Sequence, residues 1–348
     1  MKMIKKEHYG KFHNNEISVY TLTNRNGVSL SVTDFGATVL SLLVPDRQGN
    51  LADVVLGYDR LEGYSEENGE FIGCVVAPNG NRIARGTFEL NGVRYHLDIN
   101  NGVNNLHTHF ELGAAKKVMD VQMKEDEIVF RCCFGDMEAG LPGNRMFSVS
   151  YRLDDENRLI ITYAMNSDKD TIFNPTQHSY FNMAGHDSGS ILTQQLQLDC
   201  DCFTPVDETL IPTGELRPVE GTPFDFRQIK EIGRDMDLSD EQLGFGKGYD
   251  HNFVINGYDG TLRYFGLLRD PASGREMHCY TTQPGVQVYT GNYLERADGK
   301  QGMKYHPNYG VCLETQYFPD TVNHPDFPQA DMKAGQTVTY QTVYEFRW

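Results

Sequence analysis

The strongest constraint on the fold is a two-residue alternation of apolar and polar side chains that recurs along the chain. The segment RMFSVSYRL alternates in this way, and RLIITYAM, which follows it, is apolar on both faces, as expected for a strand between two layers. In the C-terminal segment VTYQTVYEFRW, one face of an extended strand would carry Val338, Tyr340, Thr342, Tyr344, Phe346 and Trp348. This periodicity is typical of β-strands and not of helices.

Turn signals and composition extend the same interpretation to the whole chain. The chain has 348 residues with 19 Tyr, 19 Phe and 34 Gly, a mixture that favours strands separated by tight turns. SLSVTDFGATVLSLLVP predicts two strands bent at Gly36, and only RLEGYSEEN and SDEQLGFG suggest a turn or two of helix. No linker, repeat or low-complexity tract divides the sequence. We therefore predict one all-β domain over residues 1–348, a large antiparallel β-sandwich with long loops over one sheet.

The charge and the cysteine content limit the kinds of binding partner and the cellular compartment that we expect. Lys and Arg number 31 against 48 Asp and Glu, a formal net charge of −17, which disfavours nucleic acid, anionic membranes and, mildly, phosphorylated substrates. The seven cysteines are odd in number and show no disulfide or zinc-knuckle spacing. The N-terminal segment MKMIKKEHYGKF lacks the apolar run of a signal peptide, and no stretch is long enough to span a bilayer. These features predict a cytoplasmic protein with reduced thiols.

Four candidate catalytic groups each lie in a short distinctive segment: His107 in NNLHTHF, His178 in NPTQHSYFN, Asp250 in GKGYDHNFVI and Glu314 in GVCLETQYFPD. They are far apart in sequence, so only the fold can bring them together. If they converge in one polar cleft, they are suited to general acid–base chemistry on a hydroxylated substrate.

Two of these segments allow a more specific interpretation. If the His178 segment is a strand, Asn174, Thr176, His178, Tyr180 and Asn182 share one face and form a hydrogen-bonding wall for a sugar. The alternative is a solvent-exposed strand face. Glu314 follows the apolar run 311–313, so burial should raise its pKa towards the range of a general base. Its alternative is a structural ion pair.

Each remaining polar candidate has a structural interpretation beside its functional one. Arg82, in APNGNRIARG, could clamp sugar oxygens or lie in a surface loop, and Asp250 could bind a hydroxyl or cap a turn. His107 and His109 would face one side of a strand at a spacing that can bind zinc, but no motif supplies a third ligand. The glycines of GFGKGYD match no nucleotide-binding fingerprint. We therefore predict neither a metal nor a cofactor.

Taken together, the motifs resemble the galactose mutarotase (aldose 1-epimerase) family over about 300 residues. The resemblance is carried, in the family's order, by DFGATVLSLLVPDRQGNLADVVLGYDRLEGY, GNRIARGTFELNG, NNLHTHF, NPTQHSYFNMAG, VDETLIPTGEL, GTPFDF, GYDHNFVI, PGVQVYTGN and CLETQYFPDTVNHPDFP. It implies a β-supersandwich with the site in a cleft on one face. It also implies a free monosaccharide as substrate and a monomer or homodimer.

The resemblance implies a role for each matching residue. Glu314 would be the general base for the anomeric hydroxyl, and His178 the general acid for the ring oxygen. His107 would hold or help polarise the ring-side oxygens. Sugar hydroxyls would be bound by Asn81, Arg82, Asp250 and Gln287, with Tyr180 as a further substrate contact. Mutarotation moves two protons and no electrons, which agrees with a site that needs no cofactor.

The sequence departs from the family pattern beside the first histidine. Thr108-His109 stands where two glycines are usual, and KKVMD (116–120) stands where a tryptophan is common, so sugar specificity is put in doubt. Three alternatives stay open. A hexose-6-phosphate 1-epimerase would need a cationic cluster beyond Arg82 and Arg85, and a carbohydrate-binding module would not need an acid–base pair. A glycoside hydrolase would use Asp250 and Glu314 as its two carboxylates.

Overall fold

Antiparallel strands are the main regular elements of the computed structural model, which describes residues 4–66, 68–296 and 298–348. The strands are β1 Lys5–Phe12, β2 Asn15–Thr23, β3 Ser29–Thr33, β4 Val39–Pro45, β5 Leu51–Asp53, β6 Val75–Val76, β7 Arg82–Ile83, β8 Thr87–Leu90, β9 Val93–His96, β10 Asn105–Leu106, β11 Asp120–Met123, β12 Glu127–Phe134, β13 Arg145–Leu153, β14 Arg158–Ser167, β15 Thr171–Ile172, β16 Thr176–Gln177, β17 Gln195–Leu198, β18 Cys202–Phe203, β19 Arg217–Pro218, β20 Lys230–Glu231, β21 Asp250–Val254, β22 Arg263–Arg269, β23 Glu276–Thr281, β24 Gly285–Tyr289, β25 Cys312–Gln316, β26 Asp331–Met332 and β27 Thr337–Arg347. Two short helices occur in the predicted segments, α1 Leu61–Ser65 and α2 Glu241–Gly246.

The largest sheet has nine strands in the order β11-β12-β13-β14-β27-β23-β22-β17-β20. The predicted alternation is confirmed there: Phe147, Val149 and Tyr151 of β13 are fully buried. In β27, Tyr344 and Phe346 are buried while the neighbouring Arg347 is exposed. The C-terminal strand is therefore central to this sheet, paired with β14 on one side and β23 on the other.

The N-terminal sheet has five strands in sequence order, β1 to β5. The predicted bend at Gly36 is confirmed, because β3 ends at Thr33 and β4 begins at Val39. Gly36 has φ 65°, and a Cβ there would lie 2.4 Å from the carbonyl oxygen of Ala115. Only glycine fits this close approach.

A second five-stranded sheet, β19-β18-β21-β24-β25, packs on the nine-stranded sheet. The hydroxyl of Tyr344 in β27 donates a hydrogen bond of 2.9 Å to the carbonyl oxygen of Leu313 in β25. The ring of Phe181 lies 5.1 Å from that of Tyr344. One continuous core draws on all three sheets, which confirms the predicted β-sandwich. Among the described residues, no helix is long and apolar enough to cross a membrane.

This packing decides which side chains of β25 face the site. Thr315 points towards the nine-stranded sheet and bonds to Thr342 of β27. Because strand side chains alternate, Cys312, Glu314 and Gln316 point the other way. A buried polar face therefore forms above the core, and this face carries the candidate chemistry.

Candidate active site

A cavity of about 570 Å³ opens on the outer side of the second five-stranded sheet. Its volume is within the range of small-molecule sites. Seven of the eight predicted site residues line it: Asn81, Arg82, His107, His178, Tyr180, Asp250 and Glu314. The fold thus brings together segments that are more than 200 residues apart.

Three adjacent strands build one wall of the cavity. Gln287 of β24 is paired with Asn252 of β21 on one side and with Glu314 of β25 on the other. Tyr289, two residues along, lies between Asp250 and Cys312 in the same way. Residues at this spacing share one face of the sheet, so the carboxylates of Asp250 and Glu314 point to the same side.

His178 is fixed by backbone bonds to a neighbouring segment. Its N–H donates to the carbonyl oxygen of Cys74 at 3.0 Å, and its carbonyl accepts from the N–H of Gly73 at 2.9 Å. Gly73 has φ 75°, and a Cβ there would lie 2.3 Å from the carbonyl oxygen of Val39. The chain beside His178 therefore requires glycine at this position.

His178 and Glu314 form a buried pair. Nε2 of His178 lies 3.7 Å from Oε1 of Glu314, and the second carboxylate oxygen has no hydrogen-bond partner among the described residues. Burial lowers the pKa of His178 to about 4. Burial, and then the charge of Asp250, raises the pKa of Glu314 well above its usual value, against a smaller opposing effect of Arg82. His178 is therefore the partner of Glu314, and the opposite pKa shifts favour an uncharged pair over a structural ion pair.

His107 does not lie in a strand that also presents His109, so that expectation is wrong. His107 has φ 56° and its Nδ1 accepts a hydrogen bond of 3.1 Å from the N–H of Asn81. Its proton is therefore on Nε2 when the ring is neutral. Burial lowers the pKa of His107 well below its usual value, with smaller effects of His178 and Arg82. His109 instead pairs with Asp98 at 3.0 Å.

Thr108, between the two histidines, holds the backbone of its loop. Thr108 has φ 63° and is fully buried. Its hydroxyl donates to the carbonyl oxygen of Asn79 at 2.7 Å and accepts from the Asn79 N–H at 2.9 Å. Neither Thr108 nor His109 lines the cavity. The replacement of the usual glycines therefore acts on the backbone of this loop and not directly on the cavity wall.

Arg82, Asp250 and Gln287 form a polar network at one side of the cavity. The guanidinium of Arg82 lies 3.8 Å from Oδ2 of Asp250, and its Nε donates to Oδ1 of Asn101 at 3.2 Å. Nε2 of Gln287 donates to Oδ1 of Asp250 at 2.7 Å. Arg82 is buried, and Asp250 opens a strand, so the surface-loop and turn-cap alternatives are wrong. Gln287 lies beneath Asp250 and does not line the cavity.

The predicted polar wall around His178 is only partly present. The regular strand is limited to Thr176–Gln177, and only His178 and Tyr180 reach the cavity. Asn174 donates to the carbonyl oxygen of Tyr317 at 3.1 Å, and Asn182 to that of Tyr309 at 2.9 Å. Both amides support neighbouring backbone. The hydroxyl of Tyr180 donates to the carbonyl oxygen of Glu70 at 2.8 Å, so this residue offers the cavity its ring.

Several residues of the site were missed in the sequence. Phe71 contacts both histidine rings, with centroids 4.7 Å from His107 and 6.2 Å from His178. Tyr289 lines the cavity, and Cys312 lies beside His178. The two-residue period could have found the last two, since Tyr289 shares a face with Gln287 and Cys312 shares one with Glu314. No local signal marks Phe71.

The charge of the cavity is predominantly acidic. Among the described residues, four acidic side chains line it, those of Glu70, Glu208, Asp250 and Glu314, against one guanidinium, that of Arg82. Arg85 is exposed and lies outside the cavity wall. Such a lining is suited to a neutral polyhydroxylated ligand and unfavourable for a phosphate group.

Three side chains here are also of the types that bind metals. The ligand atoms of His178, Cys312 and Glu314 lie within 4.8 Å of one another. The sulfur of Cys312 approaches Nδ1 of the imidazole at 3.6 Å, whereas Glu314 approaches Nε2.

The chain is an isomerase that acts on carbohydrates, as its family and its relatives show. The aldose 1-epimerase family model matches residues 18–345, and the chain belongs to that family. It is similar to galactose mutarotase from Bos taurus, with 41% identity over 91% of this chain and 90% of the relative. It is also similar to aldose 1-epimerase from Escherichia coli, with 33% identity over 94% of each chain. A solved galactose 1-epimerase from Lactobacillus acidophilus aligns with a TM-score of 0.86 at 26% identity, covering 100% of this chain and 99% of that one.

Proposed function

We propose that this enzyme interconverts the α and β anomers of free aldohexoses such as galactose and glucose, with Glu314 and His178 exchanging protons with the sugar. The observation that carries the proposal is the buried pair at 3.7 Å, facing a cavity with few cations. Its members have opposite pKa shifts, lowered for the histidine and raised for the glutamate. A neutral pair (carboxyl and imidazole) and an ionised pair (carboxylate and imidazolium) hold the same number of protons.

These two forms are the beginning and the end of ring opening. In the ionised form, Glu314 accepts the proton of the anomeric O1 hydroxyl while Nε2 of His178 donates a proton to the ring oxygen O5. The C1–O5 bond breaks, the C1–O1 bond becomes a carbonyl, and the pair is left neutral. Rotation about C1–C2 and reversal of both proton transfers close the ring on the other face. Burial disfavours both charged groups and so favours the neutral pair, which is the form that accompanies the open-chain sugar.

The other residues position the sugar. Arg82, Asn81 and Asp250 present a guanidinium, an amide and a carboxylate to its hydroxyls, and Gln287 orients Asp250 from below. His107 is neutral, and we infer that its Nε2–H donates to the ring-side oxygens, since Nδ1 already accepts from Asn81. Tyr180 packs its ring against the sugar. Each positioned acid or base contributes about 10²–10⁴-fold to such a reaction.

Phosphorylated sugars and non-catalytic binding are less well supported. A phosphate group would enter a cavity with one guanidinium and four carboxylates. A binding module would have no use for a buried, desolvated acid–base pair, which is costly to maintain. A glycoside hydrolase would leave His178 without a role.

We further propose that the whole chain acts as one catalytic domain in the cytoplasm, as a monomer or homodimer. The continuous core and seven free cysteines support this setting. The net charge of −17 argues against nucleic acid as a partner.

Polarimetry on freshly dissolved α-D-galactose and α-D-glucose tests the function. The unaltered protein should speed the approach to anomeric equilibrium, and Glu314→Gln and His178→Ala should fall by about 10²–10⁴-fold or to the spontaneous rate. Glu276→Gln, at the first residue of β23 and outside the cavity wall, is the control. Retained sugar binding by Glu314→Gln would separate lost catalysis from lost folding. Full activity in Glu314→Gln would refute the assignment of the base.

A further inference from the structure

The contact between Cys312 and His178 takes no part in the proposed proton transfers. The sulfur of Cys312 lies 3.6 Å from Nδ1 of His178, and Cys312 is not among the residues that line the cavity. Cys312 is fully buried and precedes Glu314 by two residues on the same face of β25. One strand therefore presents a sulfur to one nitrogen of the imidazole and a carboxylate to the other.

The proton transfers place a strict demand on the second nitrogen. For Nε2 to give its proton to O5 and take it back, Nδ1 must keep a proton throughout. If the neutral ring carried its proton on Nε2 instead, donation would leave an imidazolate anion, which is not accessible at ordinary pH. The ring therefore needs an acceptor at Nδ1 that does not itself compete for the proton.

The surroundings of the ring leave few candidates for that acceptor. Phe71, His107, Tyr180 and Tyr289 pack around it with ring centroids at 6.2, 5.5, 5.2 and 6.3 Å. The Nδ1 of His107 already accepts from Asn81, so the other nitrogen of its neutral ring is a donor and not an acceptor. The hydroxyl of Tyr180 is bonded to Glu70. Burial raises the pKa of the Cys312 thiol well above its usual value, so the sulfur stays protonated and is a weak, neutral acceptor. Burial lowers the pKa of His178, and a hydrogen bond with its own backbone opposes this with a smaller effect.

We propose that Cys312 is a positioning residue whose sulfur accepts the hydrogen bond from Nδ1–H of His178 and so keeps Nε2 as the nitrogen that exchanges protons with the sugar. The inference rests on the proposed role of His178 as the acid. It differs from a simple packing role because a packing role makes no demand on the tautomer of the ring.

The test is a long-range ¹H–¹⁵N NMR spectrum of protein labelled with ¹⁵N in its histidines, near neutral pH. The His178 signals are assigned from their loss in His178→Gln. The unaltered protein should show the neutral tautomer with the proton on Nδ1. Cys312→Ser should keep it, because a hydroxyl also accepts, whereas Cys312→Ala should give a mixture of tautomers. The matched control is Cys279→Ala, which removes a fully buried thiol from β23, outside the cavity wall.

Polarimetry on the same proteins gives a second readout. Cys312→Ala should lower kcat about tenfold with little change in KM, which is the effect of losing one hydrogen bond in the transition state. Cys312→Ser should keep most of the kcat that Cys312→Ala loses. An unchanged tautomer in Cys312→Ala, or a proton on Nε2 in the unaltered protein, would overturn the inference. The tautomer of the unaltered protein can be measured even if Cys312→Ala does not fold. An Nδ1–H tautomer in a protein without mutarotase activity would refute the proposed function alone.

Discussion

Nε2 of Gln287 donates a hydrogen bond of 2.7 Å to Oδ1 of Asp250, and both side chains are buried. Gln287 in turn accepts from Nε2 of Gln316 at 3.2 Å. The side-chain amides of Gln316 and Gln287 therefore form a hydrogen-bonded chain that holds the Asp250 carboxylate in place. The neighbouring guanidinium of Arg82, at 3.8 Å, is too distant to fix its orientation alone.

Replacing Gln287 with alanine should weaken sugar binding more than it slows the chemistry. Asp250 would lose its orienting donor, and a lost bond to a buried charged group costs about 1.5–3 kcal/mol, or roughly 10- to 150-fold in kcat/KM. Steady-state polarimetry should show the change mainly in KM. Gln194→Ala is the control, since Gln194 is buried but bonds to Asn182 away from the cavity. A normal KM in Gln287→Ala would contradict the orienting role.

The pH dependence of kcat/KM should be broad and bell-shaped. Below the lowered pKa of His178, about 4, the pair takes up a second proton, and Glu314 can no longer act as base. Above the raised pKa of Glu314 the pair loses its only exchangeable proton, and His178 can no longer act as acid. Activity should therefore fall as pH drops through the first value and as pH rises through the second. Rates must be corrected for spontaneous mutarotation at each pH.

The alkaline limb of that profile should move in opposite directions in two variants. The charge of Asp250 raises the pKa of Glu314 and that of Arg82 lowers it. Asp250→Asn should therefore shift the limb to lower pH, and Arg82→Met should shift it to higher pH. Both variants should also raise KM, so the position of the limb and not the absolute rate is the measurement. Shifts of the same sign would show that the limb does not report Glu314.

A buried ion pair outside the site should matter for stability. Nζ of Lys300 donates to Oδ2 of Asp53 at 2.7 Å and to the carbonyl oxygen of Val55 at 2.8 Å. Lys300→Met would leave the largely buried Asp53 carboxylate without its cation, with only backbone N–H donors remaining, which should lower the free energy of unfolding by about 3–5 kcal/mol. Denaturant titration measures the change. Lys169→Met removes an exposed pair with Asp136 and should have a much smaller effect, and equal effects would contradict the prediction.

Thr108→Val should destabilise the protein without changing which sugars it accepts. Valine keeps the shape of threonine but loses both hydrogen bonds to Asn79, at a cost of about 1–3 kcal/mol. Urea unfolding and relative rates on galactose, glucose and xylose are the measurements. An altered ratio of these rates would mean that the loop shapes the cavity through its backbone. Thr87→Val, at an exposed hydroxyl, is the control.

The sequence by itself determined the strands, the sandwich and most of the site. Alternation in β13 and β27 is a local property, because successive side chains of a strand point to opposite faces, and it can be read without knowing the partner strands. The ordered motifs identified the family and seven of the residues that line the cavity. The same period could have placed Cys312 with Glu314.

Only the tertiary structure decided what those residues do to one another. The His178 segment leaves its strand after Gln177, so Asn174 and Asn182 support backbone and do not form a wall. His107 and Thr108 take up positive φ, which separates His107 from His109. The pairing of His178 with Glu314 joins segments more than 130 residues apart. Such contacts depend on how distant strands pack, and pKa shifts follow from the resulting burial, so no local pattern encodes them.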